Sequence, residues 1–370
     1  MSDIEQDIPL KARDWKYSGE GNMKIVFTYT GHEPSLQNWL LQLNKGETSS
    51  TLAVQLQQRR DACAFSTLVG SLIGQQYILE QRLVRVPREF LTALSQRTTE
   101  RPLYRTHAAI DVDQGVGVLV PNMIATCTHS VTVELKPKWG FLPQSAEIDP
   151  ANSVKYRVCR YCMHQHLKHK SPSQLCPLDL YSTTPERVER ALDALAESPQ
   201  NNMRVFVDGV LTDTVDVQWS ELKRVLTQIL LKELILVRLQ RLQRELDPRD
   251  IEGVFPVYER AIECGELSAN EPSVDDWVEA VRLFETQAER SDKQVVLEYL
   301  LSTVLKDVSV MVMIKQWPVD GEMPEYKIAV VDTEPKKLAK MARYRDLSQD
   351  IVDNYLKLHP HPSSQKQCYE

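Results

Sequence analysis

The ten residues from Val131 to Gly140, VTVELKPKWG, constrain this chain more than any other stretch. Their alternation reads as a β-strand, in which successive side chains point to opposite faces. Glu134, Lys136 and Lys138 then share one face while Val133 and Leu135 bury the other. Two ammonium groups and a carboxylate held together on a half-buried strand are costly unless something anionic lies opposite. The rest of the chain has to supply that anion or a pocket for it.

A chain of 370 residues exceeds what one hydrophobic core usually supports, so two lobes are expected. A composition of 42% hydrophobic and 26% charged residues is that of an ordinary globular protein. The net charge of -7 argues against nucleic-acid binding by bulk charge, although an acidic protein can hold a local basic pocket. Seven scattered cysteines do not resemble a disulfide framework. The opening MSDIEQDIPLK is acidic and lacks the apolar core of a leader peptide. No run of about 18 apolar residues reads as a membrane span. These features lead us to expect a monomer of the cytoplasm or nucleus, with no nucleic-acid or membrane partner.

Near the N-terminus the turn Gly19-Glu20-Gly21-Asn22 precedes a strand from Ile25 to Thr30. Glycines at such a tip can bring backbone N–H groups to a phosphate, because no Cβ blocks the approach. A plain hairpin would look the same, and the third glycine of the usual fingerprint is missing. Trp39 to Lys45 reads as a strand and Gly46 to Gln58 as a polar connection. Arg97, Arg101 and Arg105 stand among turn residues, either as solvated charge or as ligands. The apolar strand within Gly115 to Ile124 ends at Pro121-Asn122, a hinge dividing residues 1–121 from 122–370.

Between Ser153 and Leu175 there is no acidic residue. If this segment is helical, Arg160, His164 and Lys168 fall at i, i+4 and i+8 on one face. Like charges stacked in that way repel, which suits a ligand with several phosphates better than one. Cys159-x-x-Cys162 invites zinc, but a tetrahedral site needs four ligands and Cys176 has no partner pair. Buried thiols on the helix's other side are expected instead. Asn201-Asn202 precede a strand through Arg204, where they suit either a cleft or the turn's own backbone. Ser220 to Leu246 reads as one long amphipathic helix.

Asp307 opens a strand from Val308 to Lys315, a turn at Asp320-Gly321 reverses it, and Tyr326 to Val331 closes on Asp332. Both ends of an antiparallel hairpin lie at one edge, so the two carboxylates should be neighbours. Such a pair suits a metal ion and a general base. Lys336, Lys340 and Tyr344 then recur at i, i+4 and i+8 of an expected helix. Phosphoryl transfer needs these parts: a cradle for ATP, cations, carboxylate-held Mg2+ and a base. The surplus of cations implies an acceptor that is itself heavily anionic. HRD and DFG signatures are absent, which weighs against a protein acceptor.

The motifs also carry a family resemblance. Glu134-Leu135-Lys136-Pro137-Lys138 resembles the ExKPK signature of the inositol pentakisphosphate 2-kinases, Arg160 to Gln165 their RYxMHQ, and Pro177 to Ser182 their PLDLxS. Asn201-Asn202-x-Arg204, Lys306-Asp307-x-Ser309 and Asp332 with Lys336-Lys337 recur in the same order. The resemblance implies an α+β, two-lobed inositol-phosphate-kinase fold distantly related to protein kinases, with a mixed first lobe and a larger helix-rich second. It implies ATP-dependent phosphorylation of the 2-hydroxyl of inositol 1,3,4,5,6-pentakisphosphate to phytate. On that basis Asp307 is expected as the base, Lys136 on the transferring phosphate, and Asp332 as the magnesium ligand. Lys138, Arg160, His164, Lys168, Asn202, Lys336, Lys340 and Tyr344 form the expected inositol-phosphate grip. Gly19, Glu20, Gly21, Asn22 and Glu134 are the expected nucleotide contacts.

Three departures stand out. Gln42 occupies a strand position that is basic in many members, Lys340 replaces an arginine of some members, and the Cys/His zinc site of plant members has no counterpart. A polyphosphate-binding sensor or scaffold without turnover is the alternative. Gln42 favours it, and the intact Asp307, Asp332 and Lys136 oppose it.

Overall fold

A computed structural model describes residues 8, 10–21, 23–46, 50–124, 129–168, 171–268, 270–317 and 323–370. The N-terminal part opens with β1 (Trp15–Glu20), β2 (Lys24–Tyr29) and β3 (Trp39–Asn44). It continues through helix α1 (Leu52–Ile73), β4 (Arg82–Arg85), α2 (Arg88–Arg97) and β5 (Val116–Pro121). The strands form an antiparallel sheet in the order β1-β2-β3-β5-β4.

Period-2 alternation decides which way this sheet faces. Ile25, Phe27 and Tyr29 of β2 bury with Leu41 and Leu43 of β3 against Phe90, Leu91 and Leu94 of α2. The opposite face holds Leu40, Val116, Val118 and Val120, packed against Leu56 and Cys63 of α1. Helix α1 starts at Leu52, inside the expected polar connection. Thr51 caps it by accepting from the Val54 N–H, and Gly74 ends it at φ 110.

The C-terminal part contains β6 (Ser130–Leu135), α3 (Arg160–Lys168), α4 (Pro177–Leu180), α5 (Pro185–Glu197), β7 (Met203–Val207) and β8 (Val210–Thr212). Helices α6 (Trp219–Glu233), α7 (Ile235–Glu245), α8 (Asp250–Glu263), α9 (Val274–Thr286) and α10 (Asp292–Leu305) follow. The chain ends with β9 (Ser309–Lys315), β10 (Tyr326–Val331) and α11 (Met341–Leu358). The second sheet is antiparallel in the order β10-β9-β6-β7-β8, which puts β6 at its centre. Val131, Val133 and Leu135 are fully buried there against the helices. Two antiparallel sheets with segregated helices make the fold α+β.

Three expectations are corrected. Strand β6 stops at Leu135, because Pro137 offers no N–H to a ladder and Lys138 turns to φ 65. The long helix is broken at Leu234, which sits at φ 54 between α6 and α7. Buried positions run Leu222, Val225, Leu226, Ile229 and Leu230, then resume at Ile235, Leu236, Leu239 and Leu242. That phase slip cannot lie on one face of a straight helix. Lys336 precedes its expected helix. A 3-10 turn, Leu338–Lys340, comes first and α11 begins only at Met341.

Candidate functional site

The hairpin of β9 and β10 pairs Ser309 with Val331, so Asp307 and Asp332 leave the sheet at the same edge, as expected. Neighbouring β6 pairs Glu134 with Met311 and Leu135 with Val310, which delivers Lys136 to that edge. Lys136 Nζ lies 3.0 Å from Asp332 Oδ2. The Ser309 hydroxyl is 2.9 Å from Glu134 Oε1 and 3.2 Å from Asp332 Oδ2, so its one proton links the two carboxylates. Lys336 reaches across to Asp307. Arg204, in register with Glu134 on β7, comes within 3.5 Å of Glu134 Oε2. Sequence reasoning gave Ser309 and Arg204 no role of their own. Their only signal was cross-strand register.

The electrostatics of this edge are lopsided. Burial works against the Lys136 ammonium, but Asp332, Glu134 and Asp307 outweigh it and hold its pKa above the ordinary lysine value. Lys138 goes the other way. Burial lowers it, and Lys136 and Lys168 push in the same direction against Asp307 and Asp332. Lys138 and Lys168 thus share the field of this edge, where a polyanion would relieve their repulsion. Burial raises the Tyr344 hydroxyl, with Asp307 adding to the effect, and its ring meets Tyr299 edge-on at 6.4 Å. Asp307, Asp332, Lys136, Lys138, Lys168, Lys336 and Tyr344 therefore converge. Lys340 is exposed on the 3-10 turn between Lys336 and Tyr344, and His164 is half-buried one turn before Lys168.

Arg160, half-buried at the start of α3, is set against Trp139. Its guanidinium lies 4.8 Å from the centre of the Trp139 ring, and the acids that act on it are Asp250 and Asp247. Behind Trp139, Lys306 Nζ pairs with Asp247 Oδ2 at 2.5 Å, and Lys155 Nζ lies 2.5 Å from Asp250 Oδ1 and 2.8 Å from Glu252 Oε1. Of the three-residue stripe on α3, Lys168 at the C-terminal end acts on Lys138, and Arg160 at the start stacks on Trp139 beside this network. Asn202 is 1% exposed; its Nδ2 donates to Tyr161 Oη at 2.8 Å and its backbone carbonyl accepts the Lys136 N–H at 2.8 Å. Its Oδ1 is buried with no hydrogen-bond partner among the described residues.

In the N-terminal sheet, an added Cβ at Gly19 or Gly21 would meet nothing within 4 Å, so the glycine turn is open on that side. The Gly21 N–H closes the turn on the Lys24 carbonyl at 2.8 Å. Glu20 is not a nucleotide contact, which corrects that expectation. Its carboxylate is 1% exposed and is held by Lys45 Nζ at 2.6 Å and by Arg101 Nη2 at 2.8 Å. Burial resists the charge, yet Arg101 and Lys45 hold its pKa down to about 2. Arg101 is therefore neither solvated nor a ligand, and the triad anchors the base of the turn. Asn22 lies outside the described residues. Between the two sheets Met123, Met311, Met313 and Ala329 make an apolar floor bordered by Leu79 and Val331, immediately before Asp332.

Cys159 and Cys162 are buried, as expected, and they are gathered with two others into one cluster. The sulfur atoms of Cys159, Cys162, Cys176 and Cys368 all lie within 4.8 Å of one another, and all four residues are buried. Zinc–sulfur bonds of about 2.3 Å in a tetrahedron require sulfurs roughly 3.8 Å apart. Cys159 Sγ and Cys176 Sγ are 3.9 Å apart. Cys162, Cys176 and Cys368 raise the Lys366 ammonium against the effect of its burial. Four thiols in this arrangement fit a structural zinc ion, and Cys368 would be the fourth ligand, which the spacing could not reveal.

The profile of a family described as Inositol-pentakisphosphate 2-kinase matches residues 17–350. A relative with that description from Oryza sativa subsp. indica is 29% identical over 421 aligned residues, spanning 93% of this chain and 94% of its own length. One from Danio rerio is 35% identical over 215 residues, covering 54% of this chain and 44% of the relative. One from Arabidopsis thaliana is 25% identical over 427 residues, covering 93% of each.

Proposed function

The chain belongs to the inositol-pentakisphosphate 2-kinase family, and we propose that it performs its chemistry at the edge shared by Asp307 and Asp332. The enzyme transfers the ATP γ-phosphoryl group to the 2-hydroxyl of inositol 1,3,4,5,6-pentakisphosphate and yields the hexakisphosphate. The two sheets, within residues 1–121 and 122–370, act as lobes of a fold akin to that of protein kinases. One observation carries the reading: Lys136 contacts Asp332 while Asp307, Lys138 and Lys336 crowd the same edge.

Asp307 accepts the proton of the 2-hydroxyl as its oxygen bonds to the γ-phosphorus and the bridging bond to the β-phosphate breaks. Lys336, paired with Asp307 in the free protein, turns to a substrate phosphate when the acceptor arrives. Lys136, held in its charged form, spreads the charge on the moving phosphoryl group. Asp332, Glu134 and the Ser309 hydroxyl offer the hard oxygen ligands that magnesium prefers. Magnesium bound there would neutralise the β- and γ-phosphate oxygens. Lys138, Lys168, Lys340 and Tyr344 face the acceptor's remaining phosphates, with His164 and Asn202 behind them. The methionine floor suits the adenine ring.

Lys168 provides the test of this grip. A charge-assisted hydrogen bond contributes about 1.5–3 kcal/mol, so Lys168→Ala is expected to raise KM for the pentakisphosphate roughly 10- to 100-fold. Affinity should also become less sensitive to salt, because one fewer counter-charge is engaged. Initial rates at two ionic strengths measure both effects. An unchanged KM with an unchanged salt dependence would remove Lys168 from the pocket.

A further inference from the structure

Strand β3, WLLQLN, brings no basic residue to the cleft. A cation on the same face comes from the neighbouring strand. In the β2–β3 register Val26 stands opposite Gln42 and Lys24 opposite Asn44, so Lys24 and Gln42 are diagonal neighbours on one face. Lys24 directly follows the glycine turn, and its ammonium crosses the cleft to an ion pair with Glu334, two residues beyond Asp332.

A second cation lies behind it. Arg59 of α1 is 7% exposed, and its Nη2 is buried without a hydrogen-bond partner among the described residues. Glu334 is the acid that acts on it most strongly. Burial raises the thiol of Cys63, one turn after Arg59 on α1, and Lys24 and Arg59 both pull it back. The Ser66 hydroxyl, on the same face of α1, lies 2.8 Å from Thr333 Oγ1 and fixes this junction. A latch between lobes needs one cation for one carboxylate. Here Lys24 pairs with the half-exposed Glu334, which also acts on Arg59 more strongly than the buried Asp111 does, and the buried Arg59 Nη2 has no hydrogen-bond partner among the described residues. The junction joins the strand that follows the open glycine turn to the residues just beyond Asp332, and a triphosphate has to run from that turn to that carboxylate.

We propose that Lys24, backed by Arg59, binds the ATP triphosphate in this chain, and that Glu334 holds Lys24 across the cleft until ATP displaces it. The assignment rests on the kinase reading above. It gives the two partners of the ion pair opposite effects, which a simple latch would not.

The test measures calorimetric Kd for ATP together with KM for each substrate. It compares the unaltered enzyme with Lys24→Met, Lys24→Met/Gln42→Arg and Glu334→Gln, all shown to be folded by their melting midpoints. Lys24→Met is expected to raise Kd and KM for ATP on the order of tenfold and leave KM for the pentakisphosphate within about twofold. Gln42→Arg in that background should recover most of the loss, and Glu334→Gln should tighten ATP. An ATP Kd unmoved by Lys24→Met would overturn the proposal. So would parallel losses in Lys24→Met and Glu334→Gln, because they would mark a latch. Kd is read without turnover, so an enzyme that binds ATP but makes no product would sink the kinase reading separately.

Discussion

Asp307→Ala is expected to lower kcat about 10³-fold while ATP and the pentakisphosphate still bind. A positioned general base contributes roughly 10²–10⁴-fold, and the neighbouring carboxylates Asp332 and Glu134 lie 3.0 and 3.9 Å from Lys136, which occupies them in its own ion pairs. Binding should survive, because Lys336 loses its partner and becomes fully available to a substrate phosphate. Asp307→Asn should be nearly as inactive, since an amide keeps the shape but accepts no proton. Product formation under single-turnover conditions and calorimetric titration of both ligands read the two effects separately. A variant that loses affinity and keeps its rate would make Asp307 a binding residue.

Cys368→Ser is expected to lower the melting midpoint by about 5 °C or more and to release one zinc ion per chain. Structural zinc contributes on the order of 10 kcal/mol in small domains, and even about 3 kcal/mol would produce that shift in a chain of this size. The Cys368 N–H also donates to the Arg157 carbonyl at 2.9 Å, so the metal would clamp the C-terminal segment to the start of α3. Lys168 lies at the other end of α3, so KM for the pentakisphosphate should rise as a secondary effect. Elemental analysis and thermal melts with and without chelator check the expectation. A metal-free chain with an unaltered midpoint would leave the four thiols as plain core.

What could be read from the sequence followed the range of each interaction. The carboxylate edge was legible because period-2 alternation and antiparallel geometry are local rules, and they place Asp307 beside Asp332 without any knowledge of the rest of the fold. The convergence of Lys136, Lys138 and Lys336 followed from the same edge. Helical spacing gave the face on which Arg160 and Lys168 lie but not its neighbours, so the stacking of Arg160 on Trp139 was hidden. Glu20 looked like part of a phosphate loop until its partners Lys45 and Arg101 folded over it. Cys368 was the least legible, because a ligand from the far end of the chain leaves no spacing to read. Leu234 belongs to the same class: a phase slip marks the break only once the buried positions are known.

The central claim is that scattered cations gather around one polyanion beside two carboxylates that manage metal and proton. Incubating the unaltered chain with ATP, magnesium and inositol 1,3,4,5,6-pentakisphosphate, and following the phosphorus NMR spectrum, tests it most directly. The account predicts ADP and inositol hexakisphosphate in equal amounts, with the new signal at the 2-position. Tight binding of the pentakisphosphate with no new phosphate on the ring would contradict it.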